Sequence, residues 1–186
     1  APYSGDLFSF GSGGGSDRAS SAKVSPFYIG LMTGLFEPDL GDEYDVANSY
    51  GVIIGYDDDT LIPGLSLELL LGATTAAASA LDLSFPDEYT TTMIGLYTAY
   101  RSPGSFYAKG RLGYIRFELE EDTYSGSAPN FVLDETTTLT DSGVSYGIGF
   151  GYGFSKHSRL EFEYTTASLD FDINPRLINL SYLYNF

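Results

Sequence analysis

Eight stretches of the chain alternate apolar and polar residues with a period of two, and this alternation restricts the fold more than any other feature. The apolar side of each run carries no charged residue over about ten positions. A period of two is typical of β-strands with one apolar face, and it predicts an all-β fold with eight strands. The apolar sides begin at Phe27, Tyr50, Leu65, Thr92, Phe106, Val144, Leu160 and Ile178.

The opposite sides of these runs are polar, charged or small. The sixth run has a series of glycines there, in "GIGFGYG", which suits a crowded barrel interior better than a soluble exterior. Tyrosines fall near the ends of the apolar faces, where the interfacial girdles of a membrane barrel would lie. These observations favour an eight-stranded antiparallel up-and-down transmembrane barrel over a soluble barrel. The girdle candidates are Tyr50, Tyr56, Tyr100, Tyr114, Tyr152, Tyr164, Tyr182 and Tyr184.

Connections between the runs alternate between long and short. The long ones are 37–46, 74–89 and 118–142, and the short ones contain "DDDTLIPG", "RSPGS" and "SKHS". Short periplasmic turns and long extracellular loops are typical of outer-membrane barrels, and an even strand count predicts that both termini are periplasmic. Segment 118–142 has two open interpretations, a mobile functional loop or a hairpin that extends the fifth and sixth strands.

Composition excludes several classes of function. The net charge of −16 argues against a nucleic-acid partner, and the lack of cysteine excludes disulfides and cysteine-ligated metals. Residues 1–24 are rich in Gly and Ser, so we predict a leader there and a barrel over 25–186. The leader is either a flexible segment or an anchor whose Leu7, Phe8 and Phe10 dock on a partner or against the body of the fold.

The runs "FYIGLMTGL", "LSLELLLG", "FYAKGRLGY", "GVSYGIGFGYGF" and "NLSYLYNF" together resemble the small OmpA-like and OmpX-like barrels of Gram-negative outer membranes. The resemblance implies contact with outer-membrane lipid and lipopolysaccharide. It also implies a C-terminal signal for the outer-membrane assembly machinery, with Ser181 where Gly is usual, formed by Asn179, Ser181, Tyr184 and Phe186. No peptidoglycan-binding domain follows Phe186, so a cell-wall anchoring role is not expected. A larger outer-membrane complex contacted by residues 1–24 is a further hypothesis.

Charged residues on the polar faces are predicted to face the lumen, and Arg101 and Arg159 are predicted near the periplasmic rim. An eight-stranded barrel is just wide enough for side chains to fill it, and unpaired charges there would be costly. We therefore expect either a structural salt-bridge plug or, as the alternative, an ion-selective path. The predicted lumen network comprises Glu68, Lys109, Arg111, Glu161 and Glu163.

Candidate sites for metals and catalysis are weak. Asp39, Asp42 and Glu43 in the first long loop could bind Ca²⁺, but they lack EF-hand spacing, and we expect no cofactor. The single histidine, His157, lies in a predicted periplasmic turn, and the narrow lumen disfavours glycosidase chemistry at Glu161 and Glu163. We expect a non-enzymatic structural, adhesion or accessory protein. The alternatives are an OmpW-like narrow channel for small or hydrophobic solutes and, more remotely, a lipid A-modifying enzyme.

Overall fold

The computed structural model of the chain contains nine β-strands among the residues that it describes. It describes residues 25–40, 44–57, 60, 62–78, 87–127, 130–169 and 174–186. The strands are β1 (Phe27–Glu37), β2 (Ala47–Asp57), β3 (Leu65–Thr74), β4 (Ala77–Ala78), β5 (Glu88–Arg101), β6 (Phe106–Ser127), β7 (Asn130–Gly153), β8 (Ser158–Leu169) and β9 (Arg176–Asn185).

Eight of these strands close into an antiparallel barrel. Neighbours follow the order β3-β2-β1-β9-β8-β7-β6-β5, and pairing of β3 with β5 joins the two ends. The two-residue β4 pairs with the start of β5 outside this ring. The predicted eight-stranded all-β barrel is confirmed. No helix in the described ranges is long and apolar enough to cross a membrane.

Side chains alternate between the lumen and the outer surface along every barrel strand. In β1, for example, Tyr28 and Met32 are buried while Phe27, Ile29 and Leu31 are exposed. The Leu-rich β3 is the strand where a shift of one residue would be hardest to detect from its pattern. There Leu70 is fully buried, whereas Leu67 and Leu71 are exposed. If any one strand slipped by one residue, its charged lumen residues would move to the outer surface. The observed burial of these residues therefore fixes the register of the strand.

The outer surface is an apolar belt bordered by aromatic rings. Along β7 it runs from Phe154 to Val144, roughly 25 Å in height for a tilted strand, which matches the lipid-facing band of outer-membrane barrels. All eight predicted girdle tyrosines are exposed on this surface. Rings also contact one another along it, as in the pair Phe27–Tyr56, whose centroids lie 5.0 Å apart.

The two ends of the barrel differ. At the turn end lie the described residues of the short connections, 60, 62–64, 102–105 and 154–157, and both described chain ends, Ser25 and Phe186. Gly64 and Gly104 in two of these turns have φ values of 86° and 121°, a backbone region that favours glycine. At the loop end lie the described residues of the longer connections, 38–40, 44–46, 75–78, 87 and 174–175.

Strands β6 and β7 are 22 and 24 residues long, about twice the predicted ten. Their pairing continues from Phe106↔Tyr152 to Ser127↔Asn130, with one irregularity between Thr123 and Tyr124. Of the two interpretations of segment 118–142, the structure therefore supports the hairpin.

Candidate functional site

The half of the lumen near the turn end is filled by six charged side chains, which we call the ion-pair plug. Three carboxylates and three basic groups make it up, so the plug is electrically balanced. Each of its side chains is at most 7% exposed. The members are Glu68, Arg101, Lys109, Arg111, Glu161 and Glu163.

Lys109 occupies the centre of the plug. Its Nζ atom lies 3.1 Å from Glu68 Oε2, 2.9 Å from Glu161 Oε2 and 3.0 Å from Glu163 Oε2. The three carboxylates come from β3 and β8, which lie on opposite sides of the barrel. A single ammonium group therefore links two walls of the lumen.

Two guanidinium groups complete the plug. Arg101 Nε donates to Glu161 Oε1 at 2.6 Å, and its Nη2 atom donates to Glu68 Oε1. Arg111 Nε lies 2.7 Å from Glu163 Oε1, and its Nη2 donates to the Thr165 hydroxyl at 2.9 Å. The prediction that placed Arg101 near the rim is incomplete, because its long side chain reaches from the last residue of β5 into the plug.

Two tyrosine hydroxyls donate to carboxylate oxygens that also accept from Arg101. Tyr28 donates to Glu68 at 2.7 Å, and Tyr107 donates to Glu161 at 2.8 Å. Glycines on neighbouring strands make room for these rings: a Cβ atom at Gly55 would lie 1.9 Å from Cζ of Tyr28, and one at Gly151 would lie 2.4 Å from Cζ of Tyr107. The sequence analysis identified neither tyrosine, although their positions on the polar side of each run could have revealed them.

A second ion pair lies between the plug and the turn end. Arg159 Nη1 is 3.2 Å from Asp57 Oδ2, and the guanidinium lies over the Tyr28 ring at 4.3 Å from its centroid. Asn185 of the last strand also donates to Asp57 at 3.2 Å. Asp57, the first residue of the predicted short connection "DDDTLIPG", is therefore the last residue of β2 and a partner of lumen residues.

The half of the lumen near the loop end is mainly apolar, with Thr91 and Asp141 as polar members of its lining. Phe36 and Phe117 pack with ring centroids 5.6 Å apart, and further buried side chains surround them. Two cavities of about 30 and 10 Å³ remain beside these rings, the larger with space for about one water molecule. This upper layer consists of Phe36, Ile115, Phe117, Leu119, Leu169 and Leu177.

Two described residues of the first long loop cover the upper layer. Leu40 and Tyr44 pack against it, and the Tyr44 ring meets Tyr89 edge to face at 5.5 Å. The Tyr44 hydroxyl donates to Glu121 at 3.2 Å, and the Tyr89 hydroxyl donates to the Asp45 carbonyl at 2.5 Å. Burial raises the pKa of Tyr89 to about 12, and the charge of Asp45 acts in the same direction. These contacts connect the first loop to β5 and β6.

The assembly-signal candidates lie on both faces of β9. Asn179 and Ser181 face the lumen and are hydrogen-bonded to each other at 3.2 Å, whereas Tyr184 and Phe186 are exposed on the outer surface. The backbone around Phe186 is tied to the turn end, since Ser25 N donates to its carbonyl at 2.5 Å. His157 in the neighbouring turn lies with its Nδ1 atom 2.9 Å from the Asn185 carbonyl.

Only one of the three metal candidates lies within the described residues. Asp39 is exposed with φ at 58°, while Asp42 and Glu43 lie outside the described residues. Within the described part of the chain, no group of three or more His, Cys, Asp or Glu side chains is placed to hold a metal ion.

Comparisons with known proteins identify the same architecture. The family model of the outer membrane protein beta-barrel domain matches residues 7–186. No curated protein matches the sequence significantly.

Solved structures with the same fold share little sequence with the chain. Ail of Yersinia pestis, also solved with the heparin analogue sucrose octasulfate, is 13% identical with a TM-score of 0.55 over 86% of this chain and 96% of its own. The N-terminal barrel of Pseudomonas aeruginosa OprF is 15% identical, with a TM-score of 0.53 over 88% and 100%. Neisserial surface protein A is 14% identical, with a TM-score of 0.54 over 88% and 99%. At these identities the likeness concerns the fold.

Proposed function

The chain belongs to the outer-membrane β-barrel domain family, and we propose that it is a non-enzymatic barrel protein that acts through its loop-end surface. The family places it in the bacterial outer membrane. In the proposed orientation the turn end and both termini face the periplasm, because outer-membrane barrels have short periplasmic turns and longer extracellular loops. The β6–β7 hairpin then projects outside the cell.

The observation that carries the proposal is the filled lumen. The ion-pair plug blocks the half near the turn end, and the apolar upper layer with Leu40 and Tyr44 blocks the other half. Moving a hydrated ion through would require breaking buried ion pairs whose partners are costly to separate. A barrel with this interior supports a structural, adhesion or accessory role better than a conducting one.

Geometry also disfavours the enzyme alternative. The ring of His157 contacts a backbone carbonyl in a turn at the end opposite to the long loops. Glu161 and Glu163 are each ion-paired with two basic residues inside the plug. Neither arrangement offers a free acid–base group to a lipid A substrate in the outer leaflet.

One observation favours a second candidate, an OmpW-like channel for hydrophobic solutes. The upper layer is lined by apolar side chains, and displacement of the first loop would open it at the loop end. The plug below would still stop a solute from crossing along the axis. This candidate therefore requires a lateral exit through the barrel wall.

Partners follow from the same proposal. Outer-membrane lipid and lipopolysaccharide would surround the apolar belt, where Arg116 and Arg176 lie on the outer surface toward the loop end. The assembly machinery would bind the last strand, with Tyr184 and Phe186 as its aromatic contacts. Residues 1–24, proposed to contact a larger complex, lie outside the described residues.

Ail was solved with a polyanion, but the charge of −16 makes a polyanionic ligand unfavourable for this chain.

Planar-bilayer recording tests the central proposal. The purified barrel should show no steady current in salt solution, while a general porin added to the same bilayer serves as the positive control. A reproducible conductance from the purified barrel would contradict the filled lumen and support the channel candidate. Uptake of a labelled apolar solute into vesicles, with and without the barrel, tests the lateral route separately.

A further inference from the structure

The outer part of β7 has a partner on one side only. Pairing of β7 with β8 begins at Gly143↔Leu169, whereas pairing of β7 with β6 continues to Asn130. No described strand pairs with residues 130–142 on the β8 side. The exposed stretch 132–140 is about 30 Å long at the usual rise per residue. We call this stretch the open edge.

The orientation of the backbone groups along the open edge follows from the regular alternation of an antiparallel pair. Gly153 N donates to Ser105 O on the β6 side, and Phe154 N donates to Ser158 O on the β8 side. The β6–β7 register is regular from Tyr152 back to Glu135, so even-numbered residues direct their N–H and C=O groups toward β8. Beyond the end of β8, Thr136, Thr138 and Thr140 therefore direct theirs to the open side.

The backbone N–H group next to the open edge is already hydrogen-bonded. Ser142 N, the next group on that side, donates to Asp141 Oδ1 at 2.7 Å, so a side chain occupies it. Beyond it, residues 136–140 read "TTTLT", with no charge and no proline, and Thr has a high β-propensity. Natural sheets protect free edges with lysine, proline, bulges or short strands. The irregular pairing of β6 and β7 lies beyond Glu135, so residues 136–140 contain no lysine, proline or bulge. This unprotected part of the edge, about 17 Å long, is suited to accept another strand.

The charges beside the edge determine which strand it can accept. On the outer face, Glu118, Glu120 and Asp122 of β6 lie opposite Thr140, Thr138 and Thr136. An added strand would lie about 10 Å from this acidic row, two strand spacings away, within reach of lysine or arginine side chains. A second copy of the chain would place acidic rows side by side, in a protein with a net charge of −16. Charge complementarity therefore favours a basic partner.

We propose that the open edge of β7 binds an extended, basic segment of another protein, which adds as a strand to the β6–β7 hairpin. This inference rests on the proposed surface role of the loop end and names the chemistry of its partner. Backbone hydrogen bonds to Thr136, Thr138 and Thr140 supply the pairing. The row Glu118, Glu120 and Asp122 selects for positive side chains.

A synthetic peptide can test this binding directly. The probe is a fluorescein-labelled nine-residue peptide of alternating lysine with threonine or valine, titrated by anisotropy into the barrel in zwitterionic micelles. It should bind at least tenfold more tightly than the same peptide with glutamate in place of lysine. A lysine peptide of equal charge with a central proline should also bind at least tenfold more weakly. Equal binding of the proline peptide would overturn strand addition.

Variants of the barrel separate edge pairing from charge attraction. Thr138→Pro removes one edge-facing N–H and should weaken binding at least tenfold, while the matched control Thr138→Ala keeps that N–H and should bind within twofold of the wild type. Glu120→Gln should weaken binding severalfold and reduce its salt dependence. Amide exchange of the unmodified barrel provides a check independent of folding: Thr136, Thr138 and Thr140 should gain protection when the peptide binds.

Two outcomes overturn the inference without affecting the proposed function. One is unchanged amide exchange at these threonines with saturating peptide, combined with an absence of bilayer conductance. The other is a dimer of the barrel, detected by sedimentation, that Thr138→Pro dissociates, since that result would assign the edge to a second copy. Conductance of the purified barrel would instead count against the proposed function itself.

Discussion

Lys109→Met is the most informative change to the ion-pair plug. The substitution keeps an unbranched side chain but removes the ammonium that contacts Glu68, Glu161 and Glu163 at 2.9 to 3.1 Å. By Coulomb's law each contact is worth about 5 kcal/mol at an effective dielectric constant of about 20. The change also removes two unfavourable energies, the cost of desolvating the Lys109 ammonium and its repulsion by Arg101 and Arg111. These offset most of the attraction summed over the three contacts. We expect a loss of about 3–5 kcal/mol in the free energy of unfolding, the usual cost of breaking a buried pair.

A second substitution should recover part of this loss. After Lys109→Met, Glu161 retains Arg101 and Glu163 retains Arg111, while Glu68 must share Arg101. Glu68→Gln in the same chain leaves two carboxylates and two guanidinium groups in one-to-one pairs. We therefore expect the double variant to be about 1–3 kcal/mol more stable than the sum of the two single effects predicts, a coupling typical of residues in contact.

Urea unfolding of the refolded barrel, followed by circular dichroism in micelles, measures these free energies. Lys156→Met is the matched control, because it removes the same charge from an exposed turn residue and should change stability by less than about 0.5 kcal/mol. A loss below about 1 kcal/mol for Lys109→Met, or strict additivity in the double variant, would refute the description of the plug as a coupled network.

Further predictions concern the barrel wall and the C-terminus. A Cβ atom at Gly110 would point into open space on the lipid-facing side, so Gly110→Ala should stabilise by about 0.5–1 kcal/mol. Gly149→Ala should destabilise by about 1–3 kcal/mol, because its Cβ would lie 2.2 Å from the Phe162 carbonyl oxygen; similar unfolding midpoints for these two variants would contradict the packing. Phe186→Ala removes a ring that is 60% exposed, so it should reduce the yield of assembled barrel in cells severalfold while changing stability in detergent by less than about 1 kcal/mol. Equal losses in the two settings would assign Phe186 to packing alone.

The strands and their register could be predicted because each alternating run shows by itself which of its faces is apolar and uncharged. An apolar face without charges has one orientation compatible with lipid, and a slip of one residue would expose Glu68 or Glu161 to it. No comparison between strands is needed to reach that conclusion. The inner and outer faces of β1, β7 and β9 follow from the local pattern alone. Strand β3 is the exception, because both of its faces carry leucine.

Contacts across the lumen could not be predicted in this way. Which carboxylate meets Lys109 depends on the stagger of the closed barrel, a property of all eight strands together. The role of Asp57 shows this limit, since its partners Arg101 and Arg159 come from the ends of β5 and β8. The same applies to Tyr28, whose hydroxyl reaches Glu68 only because Gly55 on the neighbouring strand leaves room for the ring.

The position of the hairpin on the barrel explains why its edge can serve as a binding surface. The base of the hairpin carries Phe117 and Leu119, which are buried in the upper layer with Phe36. The first loop fixes it further through the hydrogen bond from Tyr44 to Glu121. The open edge is thus an extension of the barrel sheet with a packed base. A strand that is already ordered loses little conformational entropy when a partner adds to it, so the buried layer at the loop end favours binding at the edge outside the membrane.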